Sequence, residues 1–447
     1  MWLYDLVKRH SKSAIPTVGF LGIGKSNLSL IERLSGLPVK FVFRAKSALS
    51  KEICSSLPVG EYFTDGKMLE GIGEDVLFLS PTARRDSAKF TEAEESGTYI
   101  SSDCDAHFET ERAESTIIIT GSDGKSTTTA LASEILSDSG GIACGNFGVP
   151  FSSINEGPRH LYCAELSSFN LNFSRPKSLR AAVTNLTPNH LDWHTDFNEY
   201  IQAKKNALYN TEGAVINFDC PISSEFATDV KLLAGFSENE DTALYRKCES
   251  FVLIKDDRLY LDGRELISLN EMKLRGRHTL KNAACALCLT LGLADTDKAI
   301  SEIKSFGGLK NRCEICGTIR GITFINSSID TSPSRCAATL CSLDRPVHLI
   351  MGGKGKGLSP FPLLAPLSKY AKSIMLYGEY GDELYAALKD VGCEIIMHEK
   401  FDEAFYASYE RAAVGDTVLL SPGATAYGEF SSFEERGKRF IELARGL

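Results

Sequence analysis

STIIITGSDGKSTTTALASEIL, residues 115–136, carries three consecutive isoleucines into a glycine–lysine–serine turn and on into a run of helix formers. An apolar strand that ends in glycine and reopens as a helix is the local plan of an α/β sheet with a phosphate loop at its carboxyl edge. Backbone N–H groups at a helix start bind phosphate, glycine allows close approach, Lys125 neutralises charge and Ser126 can ligate Mg²⁺. The common phosphate-loop pattern asks for a glycine five residues before Gly124, where this chain has Ile119. Strand context, the Gly-Lys-Ser triplet and the polar run Thr127-Thr128-Thr129 together read as a nucleotide site of a different family rather than a decorative turn.

The same alternation of strand and helix extends in both directions. Upstream lie the strand "PTVGFLGIG", the helix-like "KSNLSLIERL", the strand "VKFVFRA" and the strand "DVLFLS" ending at Ser80-Pro81. Downstream of "NRCEICGTIRGITFIN" come strands "VHLIMGG", "SIMLYG" and "DTVLLSPG", each followed by a helix-like stretch. Three α/β domains are expected, at 1–113, 114–308 and 309–447, each built on a mostly parallel sheet.

Bulk properties narrow the class. The chain has 447 residues, 43% hydrophobic and 24% charged, as in soluble globular proteins. A net charge of −9 argues against a nucleic-acid or anionic-membrane partner. No apolar run approaches the ~18 residues that span a bilayer, and the N-terminus does not read as an export signal. Thirteen cysteines without such a signal are expected to be reduced thiols in a cytosol. Cys285/Cys288 and Cys313/Cys316 have the spacing of zinc ligands, but their apolar surroundings favour buried structural thiols.

Four further stretches carry chemistry. Gly22-Ile-Gly24-Lys25-Ser26 is either a tight strand–helix turn or a pyrophosphate site, with Asn27 near the place of a third glycine. Glu165, in "YCAELSSF", ends an apolar strand, where ligands bind in open α/β sheets; it could equally cap a helix. "TNLTPNHLDWHTDFNEYIQAKK" gathers His190, Asp192, His194 and Lys204 around a Pro-Asn loop and a helix. A lone histidine in such a loop is more often structural than a ligand; the grouping raises the odds.

Together GSDGKSTTT, GNFGVP, ELSSF, TPNHLDWH with YIQAK, RGRHTLKNA and LLSPGATAYGEF with FEERG resemble the Mur ligases, collinearly over the whole chain, and most of all their D-glutamate-adding branch. The absent glycine at Ile119 is a habit of that family. The resemblance implies a Rossmann-like N-terminal domain for the UDP-sugar, a central phosphate-loop domain for ATP, and a Rossmann-like C-terminal domain for the amino acid. It implies a cytoplasmic monomer that activates the carboxylate of UDP-N-acetylmuramoyl-L-alanine as an acyl phosphate, which the amine of D-glutamate attacks. By position, Gly121, Ser122, Asp123, Gly124, Lys125, Ser126 and Thr127 would hold ATP, with Asn282 and with Arg312 reaching across from the third domain. Glu165 and His190 would each ligate one of two Mg²⁺ ions, with help from Ser126. Lys204 would carry a CO₂-derived carbamate, because a bare ammonium would repel Mg²⁺; Lys205 is the competing candidate, and the spacing from Tyr200 favours Lys204. Gly22, Gly24, Lys25, Ser26 and Asn146 would hold the UDP-sugar.

For the amino acid the resemblance points to Thr331, Lys356, Ala426, Tyr427 and Phe433, and there the chain departs from the family. In "NSSIDTSP" Ser327 stands for an aspartate and Ile329 for a lysine; Asn311 precedes Arg312 where a histidine is usual. Ala426 replaces a serine and Tyr427 a leucine or phenylalanine, while Lys354 and Arg335 are extra cations nearby in sequence. Arg44 and Thr82 replace an acid and a glycine in the first domain. A sister amide ligase for another amino acid, and a nucleotide-binding relative without catalysis, are the alternatives; the latter has no reason to keep Lys125, Ser126, Glu165, His190 and Lys204 together.

Overall fold

The computed structural model describes the chain apart from residues 1, 50, 156–159, 192, 242, 244–245, 275 and 344, and the side chains of 51 and 52. Two compact units divide it, Met1–Phe306 and Gly307–Leu447.

The first unit holds two large sheets. One has five parallel strands in the order Gly60–Phe63, Lys40–Arg44, Thr17–Leu21, Val76–Leu79, Tyr99–Ser101. Its near-continuous apolar runs follow from burial on both faces. Val18, Phe20, Phe41, Phe43, Val76 and Phe78 share one core, while Leu21, Leu77, Leu79 and Ile100 share another, as a two-residue period requires. Phe20 lies at the centre of the first core, with ring centroids of Phe41, Phe43 and Phe78 5.7–6.2 Å away.

The second sheet has nine strands, in the order Arg264–Ser268, Arg258–Leu261, Ser250–Lys255, Leu232–Ser237, Ala214–Asn217, Arg180–Val183, Thr116–Thr120, Leu161–Glu165, Gly141–Gly145. Seven pair in parallel, and the last three in sequence form an antiparallel meander that the alternation of strand and helix does not anticipate. Its signal was present: Asp256-Asp257 and Asp262-Gly263 both turn with positive φ, the residue types that favour two-residue hairpins.

The unit Gly307–Leu447 is a six-stranded sheet, Glu314–Ile319, Ile322–Asn326, Thr417–Leu420, Val347–Gly352, Ala371–Tyr377, Glu394–His398, parallel except for its first pair. Leu349, Met351, Leu376 and Leu419 pack on one face; Ile350, Met375, Val418 and Leu420 pack on the other with Phe401, Phe405 and Phe440. The helix Arg277–Thr290 of the first unit buries Cys285 and Cys288, and Cys288 Sγ donates to the Gly235 carbonyl at 3.6 Å. Among the described residues no helix is long and apolar enough to cross a membrane.

Candidate active site

The strand Thr116–Thr120 passes into Gly121–Gly124 and the helix Lys125–Ile135. Gly121 has φ +138 and Gly124 φ +77, and neither tolerates a side chain. A Cβ on Gly121 would meet Thr184 Oγ1 at 2.0 Å, and one on Gly124 would meet Asn282 Oδ1 at 2.3 Å. Asn282 reaches that place because its helix, Arg277–Thr290, packs along Lys125–Ile135. The loop is stapled further: Ser122 N–H donates to Asn185 O at 2.9 Å, Asp123 N–H donates to Asn185 Oδ1 at 2.8 Å, and the Ser122 and Tyr200 hydroxyls lie 2.8 Å apart. Lys125 Nζ donates to Ser122 O at 2.7 Å, so the cation hangs over its own loop. Thr127 stands beside it on the first turn.

Glu165 ends the neighbouring strand Leu161–Glu165, in register with Ile119. It is buried, and its Oε2 has no hydrogen-bond partner in the protein. Such an orphaned carboxylate oxygen is costly unless something cationic occupies the space beside it. Lys204, on the helix Phe197–Lys205, is 2% exposed and donates through Nζ to Thr120 Oγ1 at 2.9 Å. Thr120 Oγ1 in turn donates to Leu166 O at 2.7 Å. Burial, and then the charge of Lys125, push the Lys204 ammonium well below its usual range, against the pull of Glu165. Lys205 points elsewhere, to Asp229 at 2.6 Å, which separates the two lysines cleanly.

His190 sits on an exposed loop with φ +54, and its ring packs edge-on against Phe169 at 4.9 Å. His194 is buried instead, its Nε2 2.9 Å from Ser168 Oγ, with desolvation lowering its pKa; it props the loop. Asp192 lies outside the described residues.

A cleft is lined by Ser26, Pro81, Asp103, Asn146 and Asn170 among others, so the structure brings two of the expected sugar-site residues together. Gly22 and Gly24 shape the turn, which buried Asn27 pins by donating to Leu21 O and Gly22 O at 3.1 and 2.7 Å. That bond accounts for an asparagine where a third glycine was sought. Lys25 Nζ donates to Gly148 O at 2.9 Å. Arg44 is no ligand: it is 1% exposed, paired with Glu74, and donates to the carbonyls of Met68, Glu70 and Gly71.

In the unit Gly307–Leu447, Lys356 Nζ donates to Thr331 Oγ1 at 3.1 Å, and desolvation, with the charges of Arg335 and Arg436, lowers its pKa. Arg335 donates to Ile329 O at 3.3 Å. Ala426 is 4% exposed, Tyr427 is 60% exposed, and Phe433 begins the helix Phe433–Arg445. Arg312 follows Asn311, whose Oδ1 accepts from Asn326 and Ser328. The residue that sequence reasoning missed is Arg436: fully buried, it donates to the carbonyls of Gly352, Thr425, Ser328 and Ala424 and to Tyr377 OH, joining the loops after the strands. An arginine one residue before a buried glycine, inside FEERG, was the available signal.

Comparison with known proteins follows the same lines. Residues 119–290 match the Mur ligase middle domain. The chain is 34% identical, over 96% of each, to the UDP-N-acetylmuramoylalanine–D-glutamate ligase of Clostridium novyi (strain NT). It is 32% identical, again over 96% of each, to the protein of that name from Clostridium botulinum (strain 657 / Type Ba4). Among solved structures, UDP-N-acetylmuramate-alanine ligase from Thermotoga maritima matches with a TM-score of 0.59 at 18% identity, covering 96% of this chain and 99% of that one. A pseudomurein peptide ligase type C from Methanothermus fervidus matches at 0.53 and 16% identity, covering 96% and 99%. At these identities the structures speak for a shared fold.

Proposed function

Because this chain belongs to the Mur ligase family, we propose that it joins D-glutamate to UDP-N-acetylmuramoyl-L-alanine in peptidoglycan synthesis, with ATP converted to ADP and phosphate. The substrate half of this reading rests on the relatives' names over 96% of the chain. One observation carries the chemical half. Beside a phosphate loop lie a carboxylate with an orphaned oxygen, Glu165, and a buried lysine whose proton burial disfavours, Lys204.

Those residues fit Mg²⁺. Glu165 and His190 would each hold one ion, with Ser126 and a carbamate on Lys204 as further ligands. Bound Mg²⁺ would neutralise phosphate oxygens and orient the substrate carboxylate. The rest is the work of this chain. Loop N–H groups and the helix N-terminus at Lys125 receive the phosphates, and Lys125 leaves the Ser122 carbonyl to pair with them. Asn282, held against Gly124, binds the nucleotide. Lys204 as the neutral amine can add CO₂: its nitrogen bonds to the carbon, a proton is released, and a buried neutral group becomes an anion. Thr120, bonded to Lys204, fixes where that group stands. Activation as an acyl phosphate makes the carboxyl carbon electrophilic, and the amine displaces phosphate.

Gly22, Gly24, Lys25, Ser26 and Asn146 form the candidate sugar-nucleotide subsite; Thr331, Lys356, Ala426, Tyr427 and Phe433 form that for the amino acid, with Lys356 and Arg335 available to its carboxylates. We assign these roles to domains 1–113, 114–308 and 309–447. The thirteen cysteines are thiols, as a reducing cytoplasm would keep them.

The test is phosphate release with Mg-ATP and UDP-N-acetylmuramoyl-L-alanine, using D-Glu, L-Glu, L-Lys or meso-diaminopimelate. Turnover with D-Glu alone is expected. Turnover with another of the four would reassign the substrate, and none with any would leave a nucleotide-binding protein without this activity.

A further inference from the structure

The loop after the strand Val76–Leu79, at the carboxyl edge of the five-stranded sheet, has two engagements. Pro81 walls the cleft that Ser26 and Asn146 line. Thr82 and Arg84 grip Trp193, three residues beyond His190. The indole Nε1 donates to Thr82 O at 3.0 Å, Arg84 Nη1 donates to Trp193 O at 2.7 Å, and the guanidinium lies 4.8 Å from the indole centroid. Arg84 Nη2 also pairs with Glu199 Oε1 at 3.0 Å. Glu199 accepts from Thr195 N–H, Thr195 Oγ1 and Asn172 Nδ2, which ties the start of the Lys204 helix into the same knot.

From Trp193 the contacts run on to the candidate metal site. Its ring packs on Phe169 at 4.7 Å, and Phe169 packs on the His190 ring at 4.9 Å. Asn170, next to Phe169, lines the cleft. His190 keeps a left-handed backbone that few residues other than glycine adopt, and such a conformation persists where the surroundings fix it. Arg84 also pairs with Asp86, and so exposed a pair alone would contribute little. A guanidinium that is stacked on an indole and also donates to a carbonyl and a carboxylate uses the features in which arginine differs from lysine.

We propose that Arg84 is a positioning residue: through Trp193 it fixes the loop that carries His190 and couples that loop to the wall of the sugar-nucleotide cleft. This rests on the reading of His190 as a Mg²⁺ ligand, so the test separates the two. In the full-length enzyme, the rate is measured against Mg²⁺ concentration for Arg84→Ala, Arg84→Lys and His190→Ala. Arg84→Ala should lower kcat by on the order of 10- to 100-fold, the scale on which remote misplacement acts. It should also raise the half-saturating Mg²⁺ several-fold, so that excess Mg²⁺ restores part of the rate; Arg84→Lys should fall between. Trp2 and Trp193 are the two tryptophans of the chain. In a Trp2→Phe background, UDP-N-acetylmuramoyl-L-alanine added without ATP should therefore change Trp193 emission, and Arg84→Lys should diminish that change.

The proposal is overturned if both Arg84 variants keep their Mg²⁺ requirement within about twofold while His190→Ala shifts it. If His190→Ala shifts nothing, the metal reading of His190 falls instead. The fluorescence then decides for Arg84, and an emission change that survives its substitution ends the coupling argument. Should Arg84→Ala fail to fold, Arg84→Lys supplies both readouts.

Discussion

Lys204→Met in CO₂-free buffer should change how stability responds to pH. The wild-type amine is 2% exposed and hydrogen-bonds to Thr120. Burial first, and Lys125 second, push its folded pKa well below the ordinary 10.5. Between that folded value and 10.5 the unfolded chain holds a proton at this position that the folded chain lacks. Stability of the wild type therefore rises with pH across this window, by at most about 1.4 kcal/mol per pH unit for one group. The rise ends as the unfolded lysine loses its own proton near 10.4. Methionine fills similar space without a charge, so the variant lacks this component. Urea denaturation of both proteins at pH 8, 9 and 10 gives the difference directly. The wild type should gain on the variant as the pH rises through this window. Carbon-13 bicarbonate should then give a carbamate resonance in the wild type that Lys204→Met lacks. Parallel stability curves would mean that the ammonium keeps its proton in the fold. An ammonium has no lone pair for CO₂, and the assignment of a carbamate to Lys204 would fail with it.

Other expectations follow from single contacts. Lys204→Ala should abolish ligase turnover, with partial recovery on adding small carboxylates such as acetate; normal rates without additive would contradict the assignment. Gly124→Ala forces a Cβ to 2.3 Å from Asn282 Oδ1 at φ +77 and should cost more than the ~1–2 kcal/mol of a left-handed residue alone, with weakened ATP binding by calorimetry. Gly36→Ala, at φ +81 with no atom within 4 Å, should show the backbone cost without the loss of nucleotide. Glu74→Gln leaves the Arg44 charge buried without its anion, and urea denaturation should register a loss of about 3–5 kcal/mol. Burial raises Asp103 from 3.8 to about 6, so the folded state binds its proton more tightly than the unfolded chain does. Wild-type stability should fall by about 3 kcal/mol between pH ~4 and ~6 on this account, and Asp103→Asn should remove that dependence.

The strands and helices around the phosphate loop were legible because local pattern and burial agree there. "TIIIT" is buried on both faces and the glycines mark the turn. Glu165 was legible as the end of an apolar strand, whereas Lys204 was singled out by the resemblance of its YIQAK segment to the family. The unread features depend on partners distant in sequence. Asn27 looked like a defect in a glycine pattern, yet it bonds two carbonyls. Arg44 looked like a lost ligand, yet Glu74, thirty residues on, neutralises it. His194 resembled His190 in sequence and differs because Ser168 buries with it. Arg436 meets carbonyls from three loops, a convergence that no local pattern announces.

The antiparallel meander Ser250–Ser268 has a consequence for how the protein behaves in a crowded solution. A parallel sheet that stopped at Ser250–Lys255 would present unsatisfied main-chain groups along an apolar edge carrying Val252 and Ile254, a template for strands of other molecules. Folding back twice leaves Arg264–Ser268 as the rim, with Arg264 and Glu265 exposed and Glu265 paired to Arg258. Charges on a short rim discourage a tenth strand. Shortening the chain's meander by removing Arg258–Ser268 would uncover Phe251, Val252 and Ile254, now buried, and turn a self-limiting sheet into one that grows by adding neighbours.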